Sequence, residues 1–252
     1  MTPHTPAFSL RLARDADDLF AAQRLRYEVF VRELGGDGAL VDHDQQLERD
    51  RFDPVFEHLL LLDEAKGGAV VGVYRLMPPE KHAEAGQYYS EDEYDLGPLR
   101  ASGRRLLELG RSCVHADYRG GAAMFHLWQG LGAYVAKREI DVLFGVASFH
   151  GTDIDALKAP LSLLAARHLA PPDLRVRARA YQPMDLVPVD RIDRVAAMRA
   201  VPALIKAYLR LGGFVGDGAF VDHAFNTTDV CLVMDTARMS ESVKATYTAG
   251  AL

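Results

Sequence analysis

Between Leu106 and Ala147 the chain runs strand, glycine-bearing loop, helix, strand, and this unit limits the fold more than any other feature. Leu106 to Val114 reads as a strand. Asp117-Tyr-Arg-Gly-Gly121 opens a helix that continues to about Arg138, with an apolar stripe at Met124, Leu127, Leu131, Tyr134 and Val135. Ile140 to Ala147 is a near-continuous apolar run, the pattern of a strand covered on both faces. Two strands joined by a helix form a crossover, which requires helices packed on a sheet. The loop itself, Arg119-Gly-Gly-Ala-Ala123, presents backbone N–H groups and the positive end of a helix dipole, a setting suited to phosphate. A plain structural turn has the same sequence, so the loop alone decides nothing.

The flanking sequence supports an α/β fold around a mixed sheet. Phe8 to Ala13 alternates like a strand, and Leu19, Ala22, Leu25, Val29, Phe30 and Leu34 then recur at helical spacing until Gly35-Gly36. A polar stretch from Asp37 to Pro54 precedes two strand-like runs, Val55 to Leu62 and Ala69 to Leu76, joined at Lys66-Gly67-Gly68. Residues 78–100 are polar with prolines at both ends and read as an insertion or flexible loop. Asp155 to Leu169 is helix-like around Pro160, Val201 to Leu211 is a helix begun at Pro202, and Val230 to Met234 is a last strand. The expected organisation is one domain over 1–252. In it 8–147 carry the core with the crossover unit, 148–235 complete the sheet and the acceptor side, and 236–252 form a tail.

Charge and cysteine content exclude several classes. A net charge of -6 gives no basic footprint for nucleic acid. No apolar run reaches the length of a membrane span, and Met1 to Ser9 lacks the pattern of a secretory signal, so a cytoplasmic protein is expected. Cys113 and Cys231 both sit in apolar runs, as buried free thiols do. No metal site is expected, because His43, His58 and His150 show no ligand spacing with cysteines.

The chemistry-bearing residues fall into groups. Arg26 and Phe30 lie one helical turn apart; Asp50 and Asp53 follow in the polar stretch; Arg75 closes a strand. Glu108 and Arg111 share the next strand, where their odd spacing puts them on opposite faces unless a bulge intervenes. Charges in such apolar strands need partners, whether structural ion pairs or a catalytic site. Ser148-Phe-His-Gly-Thr-Asp153 follows the buried strand, where open α/β sheets bind ligands, although Asp153 also suits a helix cap. Asn226-Thr-Thr-Asp229, before the final strand, admits the same two readings.

On these residues a resemblance can be stated. Leu106 to Arg138 resembles the acyl-donor unit of the GNAT N-acetyltransferase superfamily, a mixed central sheet with helices on both faces. Arg119 matches the first position of its phosphate loop, and Ala122 and Met124 stand where small glycines are expected. Arg26, Phe30, Asp50, Asp53, Arg75, Glu108 and Arg111 resemble the signature of acyl-homoserine-lactone synthases. Leu25-Arg-Tyr-Glu-Val-Phe30, Glu108-Leu-Gly-Arg-Ser-Cys113, Leu143-Phe-Gly145 with Ala147 to Asp153, and Gly216-Asp-Gly218 with Phe225 to Asp229 are more similar to the L-ornithine N-acyltransferases of ornithine-lipid synthesis. The likeness spans about Leu10 to Asp235. The lone Trp128 leaves no tryptophan after the first helix, a departure from the lactone synthases.

The resemblance implies transfer of a 3-hydroxyacyl group from acyl carrier protein to the α-amine of ornithine, giving lyso-ornithine lipid. No permanently bound cofactor is implied; the phosphopantetheine thioester is a co-substrate. Glu108 is implied as general base with Asp50 and Asp53 behind it, and Arg111 as its catalytic companion. Arg26, Phe30, Arg75, His150, Asp153 and Asp229 are implied on the substrate. Cys113, Val114, Arg119, Gly120, Gly121, Ala122 and Ala123 are implied on the pantetheine arm and its phosphate. The amphiphilic product allows contact with a membrane surface. Competing expectations are an acyl-homoserine-lactone synthase, a coenzyme A dependent N-acetyltransferase, and a non-catalytic module that binds acyl carrier protein. For docking of an acidic carrier protein, the basic groups are Arg100, Arg104 and Arg105, and the row Arg175, Arg177 and Arg179.

Overall fold

A computed structural model describes residues 5–239. In chain order the elements are β1 (Phe8–Leu12), α1 (Ala16–Arg26), β2 (Glu57–Asp63), β3 (Ala69–Met77), α2 (Pro79–Ala85), β4 (Tyr94–Asp95), α3 (Gly97–Ala101) and β5 (Leu106–Val114). There follow α4 (Ala123–Lys137), β6 (Val142–His150), α5 (Ile154–His168), β7 (Arg177–Ala178), α6 (Arg194–Ala200), α7 (Ala203–Arg210), β8 (Phe214–Val215), β9 (Phe220–Asp222) and β10 (Thr227–Asp235). The contacts divide these residues into two compact units, one of residues 5–84 and 109–139, the other of residues 85–108 and 140–239. The division falls inside β5, between Glu108 and Leu109.

In the first unit β1, β2 and β3 pair antiparallel, and β3 neighbours the second half of β5. Leu59 to Leu62 of β2 and Val71 to Met77 of β3 are buried without alternation, so both faces of these strands are covered. One cover is α4, whose buried face is Ala123, Leu127, Trp128, Gly130, Leu131 and Tyr134. Its approach depends on two glycines. A Cβ on Gly72 would lie 2.9 Å from Leu127 Cδ1, and one on Gly130 would lie 3.1 Å from Leu10 Cδ1. The other cover is α1. Asp15 caps it by accepting from Asp18 N–H at 3.0 Å, with acids in the first turn and Arg24 and Arg26 in the last. The helix continues, wider, as a π-helical stretch over Tyr27–Glu33 and ends at Gly35 with φ +75°, the stop expected at the glycine pair.

In the second unit β5 pairs parallel with β6 over Leu106 to Glu108, and β6 pairs antiparallel with β10 from Val142↔Asp235 to His150↔Thr227. β8 and β9 add to β10, while β4 and β7 form a separate pair. Parallel and antiparallel pairing together make this the mixed α/β sheet expected. β6 extends three residues past Ala147, so Ser148, Phe149 and His150 belong to the strand, not to the loop after it. β10 is likewise longer than Val230 to Met234. Asp153 caps α5, and that helix runs through Pro160 to His168.

Of the two readings of residues 78–100, an insertion or a flexible loop, the flexible loop is corrected. These residues contain α2, β4, most of α3 and a 3₁₀ turn at Tyr89–Asp92, and they bury Tyr88, Tyr94, Leu96 and Leu99. Prolines and acids hid an anchor set of tyrosines and leucines that has no helical or strand period. Of the expected tail, Thr236–Arg238 forms a 3₁₀ turn, and 240–252 lie outside the described residues.

Candidate active site

The first unit buries a closed ring of ion pairs. Arg26, the last residue of α1, places Nε 2.5 Å from Glu48 Oε2 and Nη1 2.6 Å from Asp53 Oδ1. Arg75, on β3, places Nη1 2.9 Å from Asp53 Oδ1 and 2.6 Å from Asp50 Oδ2. Arg111, on β5, returns to the start, with Nη2 3.2 Å from Asp50 Oδ2 and Nε 3.1 Å from Glu48 Oε1. Cation and anion alternate around the circuit, each ion touches two of opposite sign, and the formal charges cancel. Gln23 adds a hydrogen bond from Nε2 to Asp53 Oδ2 at 2.9 Å, and Phe56 lies under the Arg75 guanidinium at 4.3 Å.

The stretch between α1 and β2 supplies all three carboxylates. It is held there by backbone bonds, with Glu48 N–H donating to Gln23 O at 3.1 Å and Phe52 N–H donating to Asp50 Oδ1 at 2.9 Å. Burial disfavours ionisation at all three carboxyls, but the facing guanidiniums outweigh it and hold them below the ordinary carboxylate range. The same exchange raises the Arg26 pKa against its own burial. His58 Nε2 lies 3.1 Å from Asp53 O, and burial lowers this imidazole to about 4, so it is neutral at physiological pH.

Such a cluster is an inefficient stabiliser, since stripping water from each ion costs several kcal/mol that pairing at best offsets. Its value lies in holding charge at fixed positions. Exposure shows where that charge is accessible. The side chains of Arg26, Glu48 and Arg75 are 0% exposed and Asp53 is 3%, whereas Arg111 is 12% and Asp50 17%. The ring therefore offers one guanidinium and one carboxylate, side by side, at its outer edge.

Arg111 takes φ +47°, a left-handed backbone that a non-glycine residue adopts at a cost of roughly 1–3 kcal/mol. This is a local irregularity in β5, a strand in which the odd Glu108/Arg111 spacing left opposite faces or a bulge open. Phe30 packs against the apolar cluster of Ala22, Leu25, Val29, Leu60, Leu62, Val73 and Cys113. Burial pushes the Cys113 thiol up to about 12, which makes it a poor nucleophile.

The loop from Arg119 to Ala123, expected to meet the donor phosphate, also lies in the first unit. Arg119 Nε donates to Val114 O at 2.9 Å and its Nη2 lies 2.7 Å from Glu33 Oε2, so the side chain braces the turn after β5. Gly120 has φ +75°. α4 then begins at Ala123 with Ala122 as its cap and no side-chain hydrogen bond to the first turn.

Glu108, His150, Asp153 and Asp229 fall in the second unit. Glu108 is wholly buried, and its carboxylate accepts the N–H of Tyr89 at 2.8 Å and of Ser90 at 2.6 Å. Tyr88, edge-on to Phe144 at 5.0 Å, is raised to about 12 by burial and by the Glu108 charge. His150 is exposed on β6 opposite Thr227. Asp153 accepts the N–H of Asp155 at 3.0 Å as the cap of α5, the structural reading of that residue. Asp229 is buried on β10, its backbone oxygen accepting Tyr94 O–H at 2.9 Å.

Glu48 was not singled out from the sequence. It sits in a polar stretch where charges are normally solvated, and only its place two residues before Asp50 in Glu48-Arg-Asp-Arg-Phe-Asp53 marks it.

Comparison with known proteins adds to this geometry. A family model described as an acetyltransferase (GNAT) domain matches residues 25–129. The L-ornithine N(alpha)-acyltransferase of Rhodobacter capsulatus is 60% identical over 246 residues, covering 96% of this chain and 95% of that one. The Brucella abortus protein of the same name is 42% identical, covering 97% of this chain and 90% of its own. Among solved structures, the coenzyme A dependent acyl-homoserine lactone synthase BjaI, solved with MTA, superposes with a TM-score of 0.54 at 15% identity, covering 96% of this chain and 89% of that one. That likeness speaks for the fold alone. Near-full-length identity at this level is decisive, and the chain belongs to the L-ornithine N(alpha)-acyltransferase family.

Proposed function

We propose that this protein transfers a 3-hydroxy fatty acyl group from the phosphopantetheine thioester of acyl carrier protein to the α-amine of ornithine, giving lyso-ornithine lipid. The observation that carries the acceptor and the reaction is the 60% identity, over 96% of the chain, to a protein named for that activity. The carrier-protein donor and the residue roles rest on the family resemblance and on chemistry.

The amine nitrogen attacks the thioester carbonyl, the C–S bond breaks, the pantetheine thiolate leaves, and the nitrogen gives up a proton. Glu108 is our candidate for receiving that proton; as buried as Arg26 and Arg75, it cannot touch the amine and would act only through a relay of water. Asp50 and Asp53 suit the task less, because guanidiniums on both sides depress their proton affinity. They serve better as fixed counter-ions. Backbone N–H groups at Cys113 and Val114 are our candidates for the oxyanion, and those from Gly120 to Ala123 for the donor phosphate. Arg26 and Arg75 lie too deep to meet an amino acid, which leaves Arg111 to face its carboxylate. His150 and Asp229 remain candidates for the side-chain ammonium.

No helix among the described residues is long and apolar enough to cross a membrane. We place the enzyme in the cytoplasm, with its amphiphilic product passing to the membrane surface. The test is direct. The purified protein is supplied with a 3-hydroxyacyl carrier protein and ornithine, and released thiol and product mass are followed. N-acyl ornithine is expected. Turnover only with S-adenosylmethionine, yielding a lactone, would overturn the proposal in favour of a lactone synthase, and no turnover with any acceptor would favour a binding module.

A further inference from the structure

We infer that Glu48 is a positioning residue, tethering the Arg111 guanidinium by its Nε edge so that Arg111 and Asp50 together present a charge pair to the α-amino-acid end of the acceptor. The inference rests on the ornithine reading above and extends it to a subsite. Glu48 is 0% exposed and cannot itself meet a substrate. Its two oxygens divide their work: Oε2 takes Arg26 Nε at 2.5 Å, deep in the ring, and Oε1 takes Arg111 Nε at 3.1 Å, at the ring's outer edge. One buried carboxylate thus ties the accessible guanidinium to an immobile one.

The geometry of the edge gives the tether its purpose. Arg111 Nη2 and Asp50 Oδ2 are 3.2 Å apart, and these two side chains are the more exposed members of the ring. An α-amino acid carries a carboxylate and an amine on one carbon, so a guanidinium and a carboxylate held at contact distance match that end in charge and in spacing. A flexible arginine would lose this match through rotamer freedom. Arg111 is constrained twice, by its left-handed backbone and by the bond from Nε to Glu48. Tethering through Nε fixes the plane of the guanidinium.

The test compares wild type with Glu48→Gln, which keeps the shape and removes the charge. Three quantities are read: KM for ornithine, KM for the acyl carrier protein thioester, and the inhibition constant of 1,4-diaminobutane, which has ornithine's amines without the carboxylate. KM for ornithine is expected to rise about tenfold or more, the scale of a lost charge-assisted bond. The thioester KM and the diamine inhibition constant are expected to stay within about twofold, as the carboxylate contact alone is affected. An unchanged ornithine KM, or equal changes in all three, would overturn the inference, since a merely structural carboxylate moves them together or not at all. If Glu48→Gln does not fold, Arg111→Lys is read in the same way, because lysine keeps the charge and lacks the tethered Nε. A wild-type KM for ornithine in Arg111→Lys would equally overturn it. Absence of wild-type turnover with ornithine is a separate result, and it removes the functional reading on which the inference stands.

Discussion

At the scale of single residues, two buried titratable groups set measurable behaviour. Glu108→Gln in a folded protein is expected to lower kcat by about a hundredfold, the usual scale of a general base. Near-normal turnover would assign Glu108 to bracing Tyr89 and Ser90 instead. His58 governs stability. Its folded pKa, about 4, is below its unfolded value of about 6.5, so the unfolded chain binds the extra proton between those limits. Stability therefore falls as pH drops from about 6.5 to about 4, by up to roughly 3 kcal/mol from this group. Below that, the depressed carboxyls of Glu48, Asp50 and Asp53 add their own loss, because the unfolded chain takes up protons that the folded carboxyls refuse. Chemical denaturation across that range should show the slope, and His58→Asn should flatten its upper part. Much of the ring was legible from the sequence because Arg26, Arg75 and Arg111 stand in apolar runs, where a charge must find a partner. Glu48 was not, because a glutamate in a polar stretch gives no sign that the chain folds back to bury it.

Elements were legible where they carried a period. The hairpin of β2 and β3, the helices α1 and α4, and the strand β6 follow from apolar spacing alone. β5 was legible as a strand but not as an irregular one. Arginine has no preference for the left-handed region, and two charges three apart fit a regular strand on opposite faces as well as a bulged one, so nothing in the sequence signalled the irregularity at Arg111. The segment from Gly86 to Arg100 was misread because its buried residues Tyr88, Tyr94, Leu96 and Leu99 serve as separate anchors, not as one face. The start of α4 makes a functional forecast possible. Arg119 is engaged by Glu33 and Val114, so on the proposed reading of this loop the donor phosphate would meet mainly a short run of backbone N–H groups beside Ala122 and Met124. A single phosphodiester asks less of that run than a pyrophosphate does. With one acyl chain on both carriers, kcat/KM is expected to be higher for acyl carrier protein than for coenzyme A; equal values would remove the preference.

At the scale of the whole molecule, a net charge of -6 opposes an acidic carrier protein, so the proposed donor would have to be attracted locally. The structure narrows the choice of docking charges. Arg104 is bound to Asp235 at 2.5 Å, Arg100 to Glu91 at 3.1 Å, and Arg177 to Asp217, which makes them parts of the fold. Arg105 is exposed at the entry to β5, beside Arg104 in the cluster ahead of that strand, and serves as the probe. Arg105→Glu is expected to raise KM for the carrier protein at low salt, with a smaller effect as salt screens it, while KM for ornithine holds. An unaltered carrier-protein KM would exclude Arg105 and turn attention to Arg175 and Arg179.

The left-handed backbone at Arg111 bears on how this enzyme can be engineered. At that position, conformational ease and chemistry ask for different residues: glycine relieves the torsion, and only arginine completes the ring. Removing the arginine leaves Glu48 and Asp50 without their shared counter-ion, a cost of roughly 3–5 kcal/mol that outweighs the roughly 1–3 kcal/mol of torsion recovered, so a screen for heat resistance keeps the strained residue at this codon. Thermostabilising changes are therefore better sought at positions away from the ring.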